Sequence, residues 1–223
     1  MRYYPVFLDI KDRACLVVGG GRVAERKIQT LLLCQAKVRL VARKVTRWIK
    51  ERIDNHEIKF MGENFIPSHA KNVSLVIAAT NDAELNRGIS TEARKNNVWC
   101  NVVDQPKDCT FILPALVTEG DLTVAISTSG KSPALAKMIR QELKKTVGPE
   151  YAQMLRIMGL VRKKLLKEST DQEENQKIFS SIVHSKMLEH LKGQDWKSVD
   201  NLLVSTLGEE YSLRKLGVEE KEK

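Results

Sequence analysis

The stretch "CLVVGGGRVAERK", residues 15–27, decides the fold of this chain. An apolar run ends at three consecutive glycines, and a helical pattern begins directly after them. In the spacing Gly19-x-Gly21-x-x-Ala24, the first glycine permits a tight turn and the second lets the backbone approach a pyrophosphate. The alanine lets the helix pack closely on the strand, and the helix N-terminus attracts phosphates. The stretch therefore predicts dinucleotide binding, and a glycine turn that binds nothing is the alternative.

Strands and helices alternate from the amino terminus to about residue 112. The run at 74–80 is almost continuously apolar, as strands buried on both faces tend to be. A helix is predicted at 23–36, and another begins after an N-cap arrangement of Asn81 with Glu84. The alternation predicts an α/β fold with a Rossmann-like parallel sheet. The five apolar runs that predict its strands lie at 14–19, 37–42, 57–62, 74–80 and 98–103.

The pattern changes beyond residue 112. Residues 110–130 predict two strands joined at Glu119-Gly120-Asp121, and 132–147 predicts a helix that has Ser132 as its N-cap and stops at Gly148-Pro149. Further helices are predicted at 151–167, 174–192 and 195–207. The charged tail "GVEEKEK" has too few apolar residues to fold. The predicted parts are a Rossmann domain at 1–112, a small α/β segment at 113–149, a helical carboxy-terminal domain at 150–215 and a disordered tail at 216–223.

The composition is that of an ordinary globular protein, with 42% hydrophobic and 29% charged residues. There is no run of about 18 apolar residues that would span a membrane, and the amino terminus has no export pattern. The four cysteines form no CxxC pair, so we interpret them as small buried side chains in a reducing cytoplasm. The four histidines form no ligand set, and no metal site is predicted.

The net charge of +9 indicates an anionic partner. A basic surface attracts nucleic acid, but it equally attracts a small substrate that carries several carboxylates. Only 5% of the residues are aromatic, and no aromatic stripe is interleaved with the basic residues. Charge alone therefore does not choose between these partners.

The second predicted strand ends in "VARK" instead of the acidic residue that usually binds the ribose of NAD. Arg43 and Lys44 at this point favour the 2′-phosphate of NADP. Alternatively, the backbone holds the ribose and both basic side chains are solvated. The residues alone leave both interpretations open.

Four motifs in one order resemble a known family. Residues 5–27, "AATND" (78–82), "CNVVDQPKDCTFILPA" (100–115) and "ISTSGKSPALAKMIR" (126–140) are together similar to the precorrin-2 dehydrogenase/sirohydrochlorin ferrochelatase module of siroheme synthases. The similarity runs without a gap from Pro5 to about Leu143. A methyltransferase domain that is fused on in some members has no counterpart here, so the resemblance implies the stand-alone form.

The resemblance implies oxidation of precorrin-2 to sirohydrochlorin with NAD, followed in many members by insertion of ferrous iron. Iron would then be a substrate, and no bound structural metal is expected. A homodimer formed through 113–149 is implied, with a tetrapyrrole as substrate and neither nucleic acid nor membrane as partner. NAD is expected although the usual acidic residue is missing. The residues implied to bind it are Gly19, Gly20, Gly21, Arg22, Val23, Arg43, Lys44, Thr80 and Asn81.

The essential carboxylate of the family falls on Asp104, directly after the fifth predicted strand. The carboxyl edge of a parallel sheet is where such folds bind ligands. Oxidation of the macrocycle removes a hydride, which the nicotinamide accepts, and a proton, which a carboxylate can take. A turn aspartate before Pro106 is the alternative, and Asp108 competes for the role because it shares the loop.

The segment "STSGKS" is the second candidate for substrate binding. Its hydroxyls, its glycine, its lysine and the N-terminus of the following helix suit the carboxylates of the substrate. An N-cap turn with a solvated basic face is the alternative. The residues concerned are Ser127, Thr128, Ser129, Gly130, Lys131 and Ser132.

A function of another class also fits the glycine stretch. A non-catalytic NAD(P)-sensing Rossmann module needs the loop that binds the dinucleotide, but it has no need of Asp104 or of the segment 127–132. Loss of turnover without loss of coenzyme binding, on changing Asp104, would separate the enzyme from the sensor.

Overall fold

Five parallel strands form the sheet of the amino-terminal unit in the computed structural model, which describes residues 2–168 and 171–218. The strand order β3-β2-β1-β4-β5 confirms the predicted Rossmann-like sheet. Strand β1 is central because its apolar residues Cys15–Val18 are at most 2% exposed and fill both faces. The strands are β1 (Ala14–Val18), β2 (Lys37–Val41), β3 (Ile58–Gly62), β4 (Leu75–Ala78) and β5 (Trp99–Val102).

Helices α1 (Arg22–Leu33) and α2 (Arg47–Asp54) cover one face of the sheet, and α3 (Ala83–Lys95) covers the other. Because side chains alternate along a strand, Val17 of β1 packs with α1 and α2, whereas Leu16 packs with α3. Helix α2 is not among the elements that the sequence pattern predicts. Its N-cap is a threonine at position 46, whose hydroxyl accepts a hydrogen bond from the Ile49 N–H.

Two local predictions in this unit are wrong. The N-cap of α3 is Asp82, not Asn81, since the Asp82 Oδ1 accepts hydrogen bonds from the N–H groups of Glu84 (3.0 Å) and Leu85 (2.9 Å). Helix α1 ends at Leu33, so that Cys34 is its C-cap and is exposed. The interpretation of every cysteine as a buried side chain therefore fails at this position.

A second compact unit begins at Pro114, one residue beyond the boundary predicted from the change of pattern. Strands β6 (Ala115–Glu119) and β7 (Leu122–Ile126) form an antiparallel hairpin, and α4 (Pro133–Thr146) follows. Ser132 is the predicted N-cap of α4, and its Oγ accepts a hydrogen bond from the Leu135 N–H at 3.2 Å.

The carboxy-terminal part contains helices α5 (Pro149–Glu168), α6 (Gln172–Val183), α7 (Met187–Lys192) and α8 (Trp196–Leu207). The single helix predicted at 174–192 is thus two helices. Ser185 separates them, because its Oγ donates to the Ile182 carbonyl (2.6 Å) and accepts from the Met187 N–H (3.1 Å) in place of helical bonds. None of the described helices is long and apolar enough to cross a membrane.

The packed helical core extends beyond the predicted boundary at residue 215. Leu216 packs against the core and Val218 is 8% exposed within it, so these residues do not belong to a disordered tail. The remainder of the predicted tail, 219–223, lies outside the described residues.

Tyr211 ties the end of the chain to α5. Its hydroxyl donates to the Glu168 Oε2 at 2.5 Å, and the Lys164 Nζ lies 4.8 Å from the centre of its ring. The residue is 4% exposed. Burial, with help from the Glu168 carboxylate, raises the pKa of the Tyr211 phenol above its ordinary value.

Changing Tyr211→Phe should lower the free energy of unfolding at pH 7 by about 1–3 kcal/mol, because a hydrogen bond to a charged group is lost. The phenol has a higher pKa in the folded chain, so its contribution is complete below pH ~10 and is lost as the pH rises further. Urea unfolding followed by circular dichroism, at pH 7 and above pH 10, measures both effects. An equal loss of stability with pH in Y211F and in the parent chain would contradict the assignment.

Candidate active site

Gly19 lies at the exit of β1, where only glycine fits. Its φ is +117°, and its N–H donates to the Val41 carbonyl at 2.9 Å. A Cβ at this position would collide with the carbonyl oxygen of Ala79 and would lie 2.6 Å from the Ala79 carbonyl carbon. The exits of β1 and β4 therefore run in backbone contact, at the point where the strand order reverses.

Gly20 packs against the connection between β2 and α2. Its carbonyl accepts a hydrogen bond from the Thr46 N–H at 3.0 Å. A Cβ at position 20 would collide with the Lys44 carbonyl oxygen and lie 2.9 Å from the Val45 Cγ1. The middle glycine is thus required by contacts within the unit.

Gly21 faces open space. It is the N-cap of α1 with φ −80° and ψ −177°, it makes no side-chain cap, and a Cβ built there meets no heavy atom within 4 Å. Arg22 and Val23 open the helix directly behind it, and the first N–H groups of a helix have no partner within the helix. Ala24 is fully buried against the sheet. A cradle that a Cβ would partly fill, with free N–H groups behind it, fits the pyrophosphate of a dinucleotide.

The basic pair after β2 is only in part available to a ligand. The Arg43 Nε and Nη2 both donate to the Asn64 Oδ1, at 3.2 and 3.0 Å. The Lys44 side chain is exposed, and its carbonyl packs on Gly20. Two donors of the guanidinium are therefore directed along the sheet towards the residues that follow β3.

Asn86, which is not among the residues predicted from the sequence, holds the exit of β4. The Thr80 Oγ1 donates to the Asn86 Oδ1 at 2.7 Å, and the Asn86 Nδ2 donates to the Thr80 carbonyl at 3.0 Å. Asn86 is 4% exposed, although it lies next to the apolar face of α3 that contains Ile89 and Ala93. The signal in the sequence that could have identified Asn86 is a polar residue at a helical position that is expected to be buried. Asn81, beside Thr80, is exposed.

Asp104 stands just beyond the end of β5. The Val103 N–H donates to the Ala78 carbonyl at 3.0 Å, which places the turn next to the exit of β4. Asp104 has φ +58°, a left-handed conformation that aspartate tolerates better than most residues. Its exposed carboxylate has no hydrogen bond or ion pair with any residue in the described part of the chain. A free acceptor thus lies at the carboxyl edge of the sheet.

The return segment after Asp104 is bonded to the edge of β5. The Cys109 Sγ accepts from the Val102 N–H at 3.1 Å, and the Thr110 Oγ1 accepts from the Cys100 N–H at 2.7 Å. Burial raises the pKa of the Cys109 thiol, so it acts here as a neutral hydrogen-bonding group. These bonds fix both ends of the loop that carries Asp104.

Asp108, the competing carboxylate, is held through its backbone. Its carbonyl accepts from the Ser90 Oγ of α3 at 2.5 Å, and its N–H donates to the Gln105 carbonyl at 3.0 Å. Asp108 is half-buried, whereas Asp104 is exposed. Of the two carboxylates, Asp104 is the more open to a ligand.

The segment 127–132 belongs to the second unit and forms a tight turn. The Thr128 Oγ1 donates to the Ser132 carbonyl (3.0 Å) and accepts from the Ser132 N–H (3.2 Å). The Ser127 Oγ accepts from the Ser129 N–H at 3.1 Å. The N-cap turn foreseen as the alternative is therefore present. The side chains of Ser129 and Lys131 are exposed, as is Gly130.

No metal centre is evident in the part of the chain that the structure describes. Within residues 2–168 and 171–218, no three side chains of His, Cys, Asp or Glu are grouped so as to hold an ion.

Two family models match successive parts of the chain. A model for NAD(P) binding matches residues 6–115. A model described as the central part of the sirohaem biosynthesis protein matches residues 119–146. The first match contains the glycine bend and Asp104, and the second contains the hairpin turn, the segment 127–132 and α4.

Whole-chain comparisons agree with these models. The siroheme synthase of Vesicomyosocius okutanii is 33% identical over 219 residues, which are 95% of this chain and 47% of that protein. The siroheme synthase of Nitrosomonas europaea is 36% identical over 204 residues, 91% of this chain and 43% of that protein. The chain thus spans less than half the length of these relatives.

A solved structure named SirC, precorrin-2 dehydrogenase, has the same fold. It is 26% identical, with a TM-score of 0.70, and the similarity covers 87% of this chain and 100% of that one. By sequence over nearly all its length, and by fold, the chain belongs to the siroheme synthase family.

Proposed function

We propose that the chain oxidises precorrin-2 to sirohydrochlorin, with NAD as the acceptor, in siroheme biosynthesis. The main support is the similarity to a precorrin-2 dehydrogenase over that protein's entire length. The open cradle in front of Gly21 supplies the coenzyme site that such a reaction needs.

The coenzyme would lie across the bend Gly19–Gly21. When bound, a nicotinamide coenzyme supplies the hydride acceptor. The N–H groups of Arg22 and Val23 would bind its pyrophosphate, and Thr80 with Asn81 would border the nicotinamide. We propose NAD over NADP because two donors of Arg43 already bind Asn64, which leaves the guanidinium less free for a 2′-phosphate.

Asp104 would take the proton that the oxidation releases. The reaction transfers a hydride from the macrocycle to the coenzyme and one proton to a base. The Asp104 carboxylate suits this role because it is exposed at the ligand edge and has no partner among the described residues. Its fixed loop limits the entropy lost on reaction.

The segment 127–132 would bind carboxylates of the tetrapyrrole. Its internal hydrogen bonds hold the turn rigid, which leaves the exposed Ser129 and Lys131 and the N-terminus of α4 to meet an anion. Residues that are internally bonded, such as Thr128, would shape the site without direct contact.

Insertion of ferrous iron is proposed as a second reaction on the same macrocycle, with iron as a substrate. Metallation displaces two pyrrole N–H protons, which also need an acceptor. The unpartnered Asp104 carboxylate can serve both steps in turn.

A homodimer is proposed through the segment 113–149. A two-stranded hairpin is marginally stable by itself, so β6 and β7 need further cover. Leu116 of β6 and Leu135 and Met138 of α4 are 36%, 43% and 53% exposed, which supports an apolar contact between copies. Sedimentation equilibrium of the full chain measures the association.

We also propose a cytoplasmic location. The four cysteines are free thiols, and Cys34 is exposed. Exposed thiols persist in reducing compartments, where disulfides are rare.

Anaerobic incubation of the full chain with precorrin-2 and either NAD or NADP tests the function directly. We expect the visible spectrum of sirohydrochlorin to appear with NAD, and more slowly with NADP. Ferrous ion added afterwards should give the spectrum of siroheme. Coenzyme binding without any oxidation of precorrin-2 would instead favour the non-catalytic sensor.

Gly21→Ala should weaken NAD binding without a loss of stability, whereas Gly20→Ala should lower the stability. G21A leaves the fold intact, because alanine adopts φ −80° without strain and meets open space, but its methyl enters the cradle. We expect the dissociation constant for NAD to rise at least about tenfold with little change in Tm. G20A should lower the stability by about 1–3 kcal/mol through its clash with Lys44. Titration calorimetry measures the affinity for NAD, and thermal unfolding measures the stability. Normal NAD binding by G21A would show that the coenzyme does not bind at this bend.

Asp104→Asn should abolish proton transfer without disturbing the loop. Asparagine tolerates the same left-handed backbone, so only the basic carboxylate is lost. We expect turnover to fall by about 10²–10⁴-fold with unchanged affinity for NAD. Asp108→Asn is the matched control, and it should keep most of the activity. If D108N loses all turnover while D104N remains active, Asp108 is the base instead of Asp104.

A further inference from the structure

Lys27 is a half-buried cation with no partner in its unit. It lies in the second turn of α1, and its Nζ forms no hydrogen bond or ion pair with any residue in the described ranges. Burial, together with the neighbouring charge of Arg26, lowers the pKa of the Lys27 ammonium. Removing a cation from water without an anion beside it costs free energy. Contacts within the unit therefore do not account for a lysine at this position.

The flank of α1 that carries Lys27 can be identified from its neighbours. Three residues of α1 line a cavity together with the start of α2, so they lie on the side of α1 that faces α2; they are Arg22, Glu25 and Arg26. Two residues along a helix correspond to a rotation of about 200°. Lys27, two residues after Glu25, is therefore on the opposite flank.

That opposite flank faces the half of the sheet that carries Asp104. Helix α2 packs with β2 and β3, on one side of the central strand β1. The strand order puts β4 and β5 on the other side of β1. Lys27 therefore lies on the side of β4 and β5, the strands that lead to Thr80 and Asp104.

The direction of the side chain carries its charge towards the ligand edge. Side chains on an α-helix lean towards its N-terminus, and the N-terminus of α1 is at the carboxyl edge of the sheet. The Cα of Lys27 lies about 9 Å along the axis from Gly21. The four-carbon stem can extend in that direction, which brings the ammonium within reach of the ligand edge.

Two anions would meet at this edge under the proposed function. The pyrophosphate would lie in front of Gly21, at the end of the helix, where N–H groups bind it. The tetrapyrrole would lie on the flank of β4 and β5, next to the nicotinamide. We propose that Lys27 binds a carboxylate of the tetrapyrrole substrate and so orients the macrocycle towards Asp104. The proposal depends on the proposed function for the identity of the substrate.

Three variants of the full chain test the role. Lys27→Met removes the charge and keeps the apolar stem, Lys27→Arg restores a cation, and Lys50→Met is a charge-matched control. Lys50 is an exposed residue of α2, with no ion pair among the described residues. Thermal unfolding of each variant checks that the fold is kept.

In K27M we expect the KM for precorrin-2 to rise about tenfold, since one charge-assisted hydrogen bond is lost. The dissociation constant for NAD should stay within about twofold, K27R should recover most of the loss, and K50M should match the parent chain. Titration of sirohydrochlorin, followed by its absorbance, should show the same tenfold weakening without any need for turnover. A structural role would not separate the tetrapyrrole from NAD in this way.

Other results overturn the inference. Weakened NAD binding in K27M would assign the lysine to a phosphate of the coenzyme, and unchanged constants for both ligands would exclude it from the site. If the parent chain binds sirohydrochlorin but does not oxidise precorrin-2, the proposed function fails while the titration still decides on Lys27. If the parent chain binds no tetrapyrrole at all, both proposals fail.

Discussion

The close approach of two backbones, Gly19 at the exit of β1 and Ala79 at the exit of β4, is the constraint on which the site depends. No side chain fits between them, since a Cβ on Gly19 would overlap the Ala79 carbonyl. Because these exits touch, the chain can turn from β1 into α1 with the helix N-terminus directed at the switch point of the sheet. Gly20 adds a second contact, with the connection after β2. Gly19 and Gly20 make the close backbone contacts, and the cradle in front of Gly21 remains open.

Much of the fold follows from features that are local in the sequence. The strand Ala14–Val18 and the strand Leu75–Ala78 are apolar at nearly every position, which leaves burial on both faces as the only solution. Helix α2 was missed because it is short and mostly charged, with only Ile49 buried. The break at Ser185 was missed because the apolar pattern continues through it. At this position the Ser185 side chain forms hydrogen bonds that replace those of the helical backbone, and the spacing of apolar residues does not reveal such a replacement.

The site was less accessible to sequence reasoning than the fold. The glycine spacing has a direct geometric meaning, but Asp104 is a single acidic residue before Pro106, and only the family resemblance distinguished it from a turn residue. Its loop is held by Cys109, which bonds to Val102 seven residues away, and the neighbouring exit of β4 is held by Asn86, which bonds to Thr80 six residues away. No regular repeat predicts such pairs, because they depend on how the loops after β4 and β5 fold back on the sheet. The resemblance thus singles out Asp104 as the candidate, and the structure shows the hydrogen bonds that hold its loop.

The arrangement also addresses an electrostatic problem. A dinucleotide and a tetrapyrrole that carries several carboxylates are both anions, and at one sheet edge they would repel each other. The glycine cradle offers backbone N–H groups to the phosphates, so the coenzyme needs no cationic side chain of its own. Arg43 is already bonded to Asn64. Lys27, on the flank that faces β4 and β5, is a half-buried cation, and its reduced solvation strengthens its field. A lysine between the two ligands lowers the repulsion that each imposes on the other, so coenzyme and substrate can be bound together for hydride transfer.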